Sequence, residues 1–275
     1  MDNIFVNLFR ESYEKELDIS RVRKDFHDQV YATMRRHLKK GCKLSDFRPM
    51  KLNGGKGIVG GSFMVLCQGA FKVFDEGIVE ELLSLSGGKR PSAGPGEILL
   101  TALFSNVSSA PKGDVVIDGR TCEIKSIRGG GGPCDRSSLE DRLEVWSKNH
   151  GIDISSVEWN PSGIGKLIPI VDDADDEAVA DLAVILVGDK AAEAGYKVLR
   201  SADESGARIL LQRLASCQLK NYCDNENKSD LLIVMPEEKK YLWLPNDKIL
   251  EVGNYVKFGG WSQFGFMISK LKIGE

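Results

Sequence analysis

Hydrophobic residues recur at helical spacing through the first part of the chain. Val22, Phe26, Val30 and Met34 follow one another at intervals of four residues, which places them on one face of a helix. An earlier set with similar spacing consists of Leu8, Phe9, Tyr13 and Leu17. The pattern therefore predicts a mostly helical N-terminal region over residues 1–40.

The next two segments have different patterns. Residues 51–74 are rich in glycine and then in β-prone residues, which predicts a hairpin or a loop that enters a strand. Residues 75–106 have helical periodicity, interrupted by a glycine- and proline-containing loop. After this loop, Gly96 precedes the apolar run EILLTALF, which suits a short buried helix.

The C-terminal half continues this mixture of helices and strands. We predict a helix over 202–223, strands at 230–235 and 240–245, and a largely β-structured tail. Because helices and strands alternate along the chain, the expected fold class is α/β or α+β. The predicted organisation is an N-terminal mostly helical region at residues 1–90, followed by a core at 91–275 with a long insertion at about 129–200.

Composition limits the classes of function. The chain has 275 residues, of which 42% are hydrophobic and 28% are charged, with a net charge of −3. These values are typical of a globular protein, and no apolar run has the length of a membrane span. The six cysteines form no close pairs, which favours reduced thiols over a zinc site. With no signal peptide in the first residues, we expect a cytoplasmic protein without a membrane partner.

The stretch GDVVIDGRTCEIKS, residues 113–126, is typical of a β-hairpin. Asp118-Gly119 is a strong signal for a two-residue type I′ turn. That turn pairs the two strands so that Asp114 lies opposite Glu123, and Lys125 falls on the same face. The other face carries Val115, Ile117, Cys122 and Ile124 and is apolar enough to pack on a core. Asp118 is interpreted as the turn residue.

Two carboxylates that face each other across strands repel. A divalent cation between them turns that repulsion into binding, and Mg²⁺ favours one or two carboxylates together with water and phosphate oxygens. Lys125 beside such a metal can orient a water molecule or stabilise negative charge on a phosphoryl group. The hairpin therefore predicts metal-assisted hydrolysis of phosphodiester bonds, although a solvated or salt-bridged hairpin is the structural alternative.

The pattern of Asp114 followed by Glu123-Ile-Lys125 resembles the signature of the PD-(D/E)xK nuclease superfamily. The resemblance covers roughly residues 94–245. It implies a restriction-endonuclease-like core, in which a mixed β-sheet is flanked by helices, here with an N-terminal helical extension. It also implies that an upstream helix supplies a further acid, and Glu97 has the right place in the chain order. Catalysis is then expected from Glu97, Asp114, Glu123 and Lys125, with Mg²⁺ or Mn²⁺ bound by the three acids.

Two further groups of residues are candidates for accessory roles. Gln218 and Tyr222 resemble the QxxxY element of some branches of the same superfamily and would share one helix face. A basic cluster after the first predicted helix can follow a DNA backbone, and a solvated helix end is its alternative. The basic candidates for DNA binding are Arg35, Arg36, Lys39 and Lys40.

The predicted function is therefore a Mg²⁺-dependent DNA nuclease, with an endonuclease favoured over an exonuclease. The main alternative is a non-catalytic nucleic-acid-binding or assembly protein that retains a nuclease-like fold. A third alternative is a binding module in which the acids are surface groups. The sequence does not distinguish a homodimer that cuts both strands from a monomer.

Overall fold

The computed structural model describes residues 18–53, 57, 59–85, 94, 96–110, 114–126, 139–202, 206–262 and 265–272. Helical positions predicted before residue 18 lie outside these ranges. The chain divides into two compact units. Unit 1 comprises Met1–Ser126 and Leu232–Trp243, and unit 2 comprises Ile127–Leu231 and Leu244–Glu275. The boundary expected near residue 90 thus falls within the chain segment of unit 1.

Strands from distant parts of the chain form one mixed sheet of six strands that is flanked by helices. The strands are β1 (Val59–Ser62), β2 (Val107–Ser109), β3 (Val115–Ile117), β4 (Arg120–Ser126), β5 (Asp230–Met235) and β6 (Lys240–Leu244). Their order is β1-β6-β5-β4-β3-β2. The β2–β3, β3–β4 and β1–β6 pairs are antiparallel. The mixed α/β class expected from the sequence is confirmed, as are strands at 230–235 and 240–244.

The described residues of unit 1 form four α-helices, and their apolar faces contribute to its core. Their bounds are His27–Arg36, Phe63–Leu66, Gly77–Ser84 and Glu97–Leu103. Short 3₁₀ segments lie at Lys24–Phe26, Leu44–Asp46 and Gln68–Lys72. The periodic residues Val22, Phe26, Val30 and Met34 are all buried in this core, as the helical spacing predicted.

The strand expected within residues 51–74 is present as β1, but the β-prone residues that follow it are helical at 63–66 and 68–72. Phe63, Cys67, Ala70 and Phe74 are all fully buried, and their separations of four, three and four residues follow a helical face. The Ser62 hydroxyl also accepts a hydrogen bond at 3.1 Å from the Met64 backbone N–H, which caps the helix N-terminus. Burial of this face outweighs the β-propensity of the individual residues.

Unit 2 is mainly helical. Its α-helices are Leu139–His150, Leu167–Asp173, Asp176–Val187, Ala192–Arg200 and Ala207–Asn225, and its 3₁₀ segments are Ile164–Lys166, Asp189–Ala191 and Asn246–Asn254. The long Ala207–Asn225 helix packs against the Asp176–Val187 and Ala192–Arg200 helices and against the Asn246–Asn254 segment. An antiparallel pair completes the unit, formed by β7 (Val256–Ser262) and β8 (Gly265–Leu271).

Candidate active site

The β3–β4 hairpin has the register that its turn sequence predicts. Ile117 pairs with Arg120, and the ladder ends with Val115 opposite Cys122. Asp118 and Gly119 both have positive φ, at 49° and 81°, which is the conformation that a type I′ turn requires. The interpretation of Asp118 as a turn residue is therefore confirmed. Gly113, the first residue of the motif, lies outside the described residues.

The two faces of the hairpin are both covered. Val115, Ile117, Cys122 and Ile124 are buried on the apolar face, as predicted. On the other face Glu123 is also buried, with 4% of its surface exposed. A carboxylate is seldom fully buried unless it has a partner, so the position of Glu123 differs from that of a solvated hairpin residue.

The Lys125 ammonium is the partner that compensates Glu123. Its Nζ donates a hydrogen bond of 2.7 Å to Oε1 of Glu123, and only 16% of the Lys125 side chain is exposed. The two residues point to the same face because they are two apart on a strand. The structure thus brings together the acid and the lysine of the predicted ExK element as a largely buried ion pair.

Asp114 lies one residue before β3 and fixes the end of the hairpin. Its Oδ2 accepts a hydrogen bond of 2.7 Å from the backbone N–H of Ile124. Asp114 therefore continues the hairpin by a side-chain contact, one step beyond the last pair of the ladder. Sequence reasoning gave Asp114 only a metal-binding role and missed this structural one.

Glu97 is the first residue of the short helix that covers the sheet, and only 3% of its surface is exposed. The preceding Gly96 has φ +95°, and a Cβ built there would lie 3.0 Å from Cγ2 of Val234 on β5. A residue without a side chain therefore lets the helix start close to the sheet. This close approach places the Glu97 carboxyl inside unit 1 and away from water.

The protonation of Glu97 reflects these surroundings. The pKa of this carboxyl is raised to about 7, mainly by burial and also by the negative charge of Asp114, whereas the Arg23 guanidinium opposes the rise. Burial disfavours the charged form, and a neighbouring like charge does the same. The effect of Asp114 on the pKa of Glu97 is electrostatic evidence that the two predicted acids are neighbours.

Arg23 is a member of this charged environment that the sequence did not reveal. Its guanidinium binds Asp25 in a bidentate manner, with Nε–Oδ1 and Nη2–Oδ2 distances of 3.2 and 3.0 Å. It also lies 5.9 Å from the centre of the Phe26 ring. Arg23 stands in a stretch of mixed charge far from the hairpin along the chain, so no spacing rule singles it out.

The donor chemistry of the site bears on whether it can hold a divalent cation. Carboxylate oxygens are suitable donors for Mg²⁺, which is often bound by one or two carboxylates and water. Among the described residues, however, no group of three or more His, Cys, Asp or Glu side chains is arranged to hold a metal ion. Glu123 accepts a hydrogen bond from Lys125, and Asp114 accepts a hydrogen bond from a backbone N–H of β4. The donor chemistry thus fits a site with two carboxylates better than the predicted set of three.

Gln218 and Tyr222 both lie on the Ala207–Asn225 helix of unit 2. Gln218 is buried, and its amide donates a 3.4 Å hydrogen bond to the Leu186 carbonyl. Tyr222 is half-buried. The expected helical location is confirmed, and the Gln218 contact is one that packs two helices together.

The predicted basic residues are exposed near the end of the His27–Arg36 helix. Arg36 forms an ion pair with Glu81, and the Arg35 guanidinium lies 5.8 Å from the centre of the Tyr31 ring. Lys39 donates to the backbone carbonyl of Phe71. Of the four, Arg36 is thus the one whose charge is neutralised by a described carboxylate.

Comparison of the chain with protein-family models, with curated proteins and with solved structures found no match. In the described part of the chain, none of the helices combines the length and apolar character that crossing a bilayer requires. The five described cysteines are Cys42, Cys67, Cys122, Cys217 and Cys223, and all are free thiols.

Proposed function

We propose that this protein is a metal-dependent DNA nuclease with a restriction-endonuclease-like core. The observation that carries the proposal is the largely buried Glu123–Lys125 pair on the hairpin that also bears Asp114. The perturbed pKa of Glu97 adds a third acid to the same environment. Such perturbed groups are concentrated at functional sites.

Each residue has a chemical role in the proposed reaction. Asp114 and Glu123 would hold Mg²⁺ or Mn²⁺, and Glu97 would contact the metal through water. A bound Mg²⁺ supplies Lewis acidity toward a phosphoryl oxygen and lowers the pKa of a bound water. Lys125, anchored by its hydrogen bond to Glu123, would orient the attacking water and stabilise negative charge on the phosphoryl oxygens. Hydrolysis would break the P–O bond in line with the attack.

The Glu97 carboxyl makes the proposed activity pH-dependent. With a pKa of about 7, Glu97 is near half-protonated at neutral pH, and its neutral form reduces repulsion with Asp114. The ionised form is the better metal ligand, because protons compete for the carboxylate. We therefore expect Mn²⁺ binding by the metal-free protein to strengthen as pH increases through about 7, and Glu97→Gln to weaken that pH dependence.

A plasmid-nicking assay tests the proposal. Wild-type protein should convert supercoiled plasmid to the relaxed, nicked form in the presence of Mg²⁺ or Mn²⁺, and EDTA should stop this reaction. Glu123→Gln and Lys125→Ala should each lower the rate by about 10²-fold or more, the scale for loss of a group that stabilises charge in the transition state. Lys148→Ala is the matched control, because Lys148 pairs with Glu144 at 2.6 Å on an exposed helix surface.

The nuclease proposal fails if purified protein cuts no form of DNA or RNA. It also fails if Glu123→Gln and Lys125→Ala cut as fast as wild type. Circular dichroism spectra of all variants should match the wild-type spectrum, so that loss of folding is distinguished from loss of chemistry.

A non-catalytic nucleic-acid-binding protein is the second candidate. The observation in its favour is that the described residues hold no three-ligand group and that Lys125 engages the Glu123 carboxylate. Titration with Mn²⁺, followed by the electron paramagnetic resonance of the free ion, separates the two functions. Binding that Glu123→Gln abolishes supports the nuclease, and DNA binding with no Mn²⁺ binding supports the alternative.

A further inference from the structure

Chain packing in unit 1 gathers lysines from two distant segments. The Lys39 backbone N–H donates to the Val73 carbonyl at 3.0 Å, and Leu38 forms an isolated antiparallel β-bridge with Phe74. The segment that follows the His27–Arg36 helix therefore runs beside residues 71–75. Lys72 is therefore placed near Lys39 and Lys40, although it lies far from them in the sequence.

The segment from Cys42 to Phe47 also lies beside residues 72–74. The Cys42 thiol lies 3.9 Å from the Lys72 carbonyl, and the rings of Phe47 and Phe74 pack edge to face with centroids 5.1 Å apart. Arg48 directly follows Phe47 and is exposed. We define the basic surface as the exposed residues Lys39, Lys40, Lys43, Arg48 and Lys72.

Carbonyl groups orient two members of the basic surface without neutralising them. Lys39 donates to the Phe71 carbonyl, and the Arg48 guanidinium donates to the carbonyls of Ser45 and Phe47 at 2.5 and 3.1 Å. A carbonyl carries no formal charge, so the cationic character of both side chains is retained.

Carboxylates near the basic surface accept hydrogen bonds from other groups, although, besides the hydrogen bond from His37, the Lys39 charge also helps to lower the pKa of Asp75. Asp46 accepts a hydrogen bond from the backbone N–H of Lys43 at 2.7 Å. Asp75 accepts from His37 and from the Gly77 N–H, at 2.7 and 2.9 Å. Within the described residues, no member of the basic surface forms an ion pair.

Other exposed lysines provide a contrast. Lys148, Lys197 and Lys239 pair with Glu144, Glu193 and Glu80 at 2.6, 2.5 and 2.8 Å. The net charge of the chain is −3, so the chain as a whole has no excess of cations. A local group of unneutralised cations on an acidic protein is the electrostatic footprint expected for a polyanion.

We propose that the basic surface docks the phosphate backbone of duplex DNA. This inference rests on the proposed function only in taking DNA as the polyanion. Binding would be independent of sequence, because phosphate contacts position a protein without reading bases. If each of the five cations neutralised one phosphate, the slope of log K against log salt concentration would be about −4.5.

Fluorescence anisotropy with a labelled short DNA duplex tests the inference. The titrations are made in EDTA, at salt concentrations between about 50 and about 200 mM, so that no cleavage occurs. Lys40→Gln/Lys72→Gln should weaken binding at low salt and reduce the salt slope by about 2, which is about 1 for each phosphate that is no longer neutralised. The matched control is Lys148→Gln/Lys197→Gln, which removes the same charge from paired lysines.

The outcomes separate this inference from the nuclease proposal. If the control weakens binding as much as Lys40→Gln/Lys72→Gln does, only overall charge matters and the inference is overturned. It is also overturned if wild type does not bind the duplex at low salt, or if it binds phosphatidylserine vesicles in preference to DNA. Loss of binding in Lys40→Gln/Lys72→Gln alone supports the basic surface, even where plasmid nicking detects no nuclease.

Discussion

Substitution of Gly96 by alanine is expected to destabilise unit 1 at the start of the Glu97 helix. Gly96 has φ +95° and ψ −34°, and a residue with a side chain is strained by about 1–2 kcal/mol at positive φ. The new methyl group would lie 3.0 Å from Cγ2 of Val234 and 3.8 Å from Cγ2 of Ile124. Such overpacking costs about 1 kcal/mol or more.

The two effects are partly offset, because alanine restricts the unfolded chain more than glycine does, which contributes about 0.4–1 kcal/mol in the opposite direction. We therefore expect Gly96→Ala to lower the free energy of unfolding by about 1–3 kcal/mol. Gly119→Ala is the matched control. Gly119 has φ +81°, but a Cβ there meets no atom within 4 Å, so about 1 kcal/mol of backbone strain is expected alone.

Urea denaturation followed by circular dichroism measures both variants against wild type. The denaturation slope must stay unchanged for the midpoints to report stability. Nuclease activity gives a second measure, since displacement of Glu97 by the new methyl group should lower the rate for Gly96→Ala more than for Gly119→Ala. Equal losses of stability in the two variants would show that the contact with Val234 does not matter and would refute this reasoning.

Other predictions concern charge and thiol chemistry. Lys125→Met should lower the free energy of unfolding by about 3 kcal/mol, because it leaves the Glu123 carboxylate buried and unpaired. Adding Glu123→Gln should recover most of this loss, and additive losses in the double variant would contradict the pairing. Burial of the His37 imidazole lowers its pKa, but hydrogen bonds to carboxylates on both ring nitrogens outweigh this and raise it. Its stabilisation is therefore complete below its unfolded pKa of about 6.5 and is lost as pH rises through the raised value. Urea titrations should accordingly show that His37→Gln lowers stability more at pH 6 than at pH 9, and a larger loss at pH 9 would contradict this sign. Burial raises the pKa of the Cys67 thiol to about 12, so a thiol reagent should modify Cys42 in the folded protein and Cys67 only after unfolding. Equal rates of modification of Cys42 and Cys67 in the folded protein would exclude the buried position of Cys67.

Local signals predicted the hairpin well. An Asp-Gly turn and strict alternation of side chains determine a register within fourteen residues, because a two-residue type I′ turn permits only one pairing. The role of Glu97 came instead from a family resemblance, and the short buried helix that it begins was predicted from the apolar run after Gly96, but the burial of its carboxyl was not. The helix at 63–66 and the 3₁₀ segment at 68–72 differ from the expectation, because FMVLCQGAFKVF is rich in β-prone residues while its buried residues have helical spacing.

The sequence by itself determined the turn at Asp118-Gly119, the apolar face of the hairpin and the helical periodicity that begins at Val22. Each of these depends on interactions between residues that are close along the chain. Tertiary structure alone decided that Arg23 acts on the pKa of Glu97 and that Lys72 joins the basic surface near Lys39. Those neighbours are brought together by burial of a shared core, which depends on the packing of many distant side chains and leaves no local pattern in the sequence.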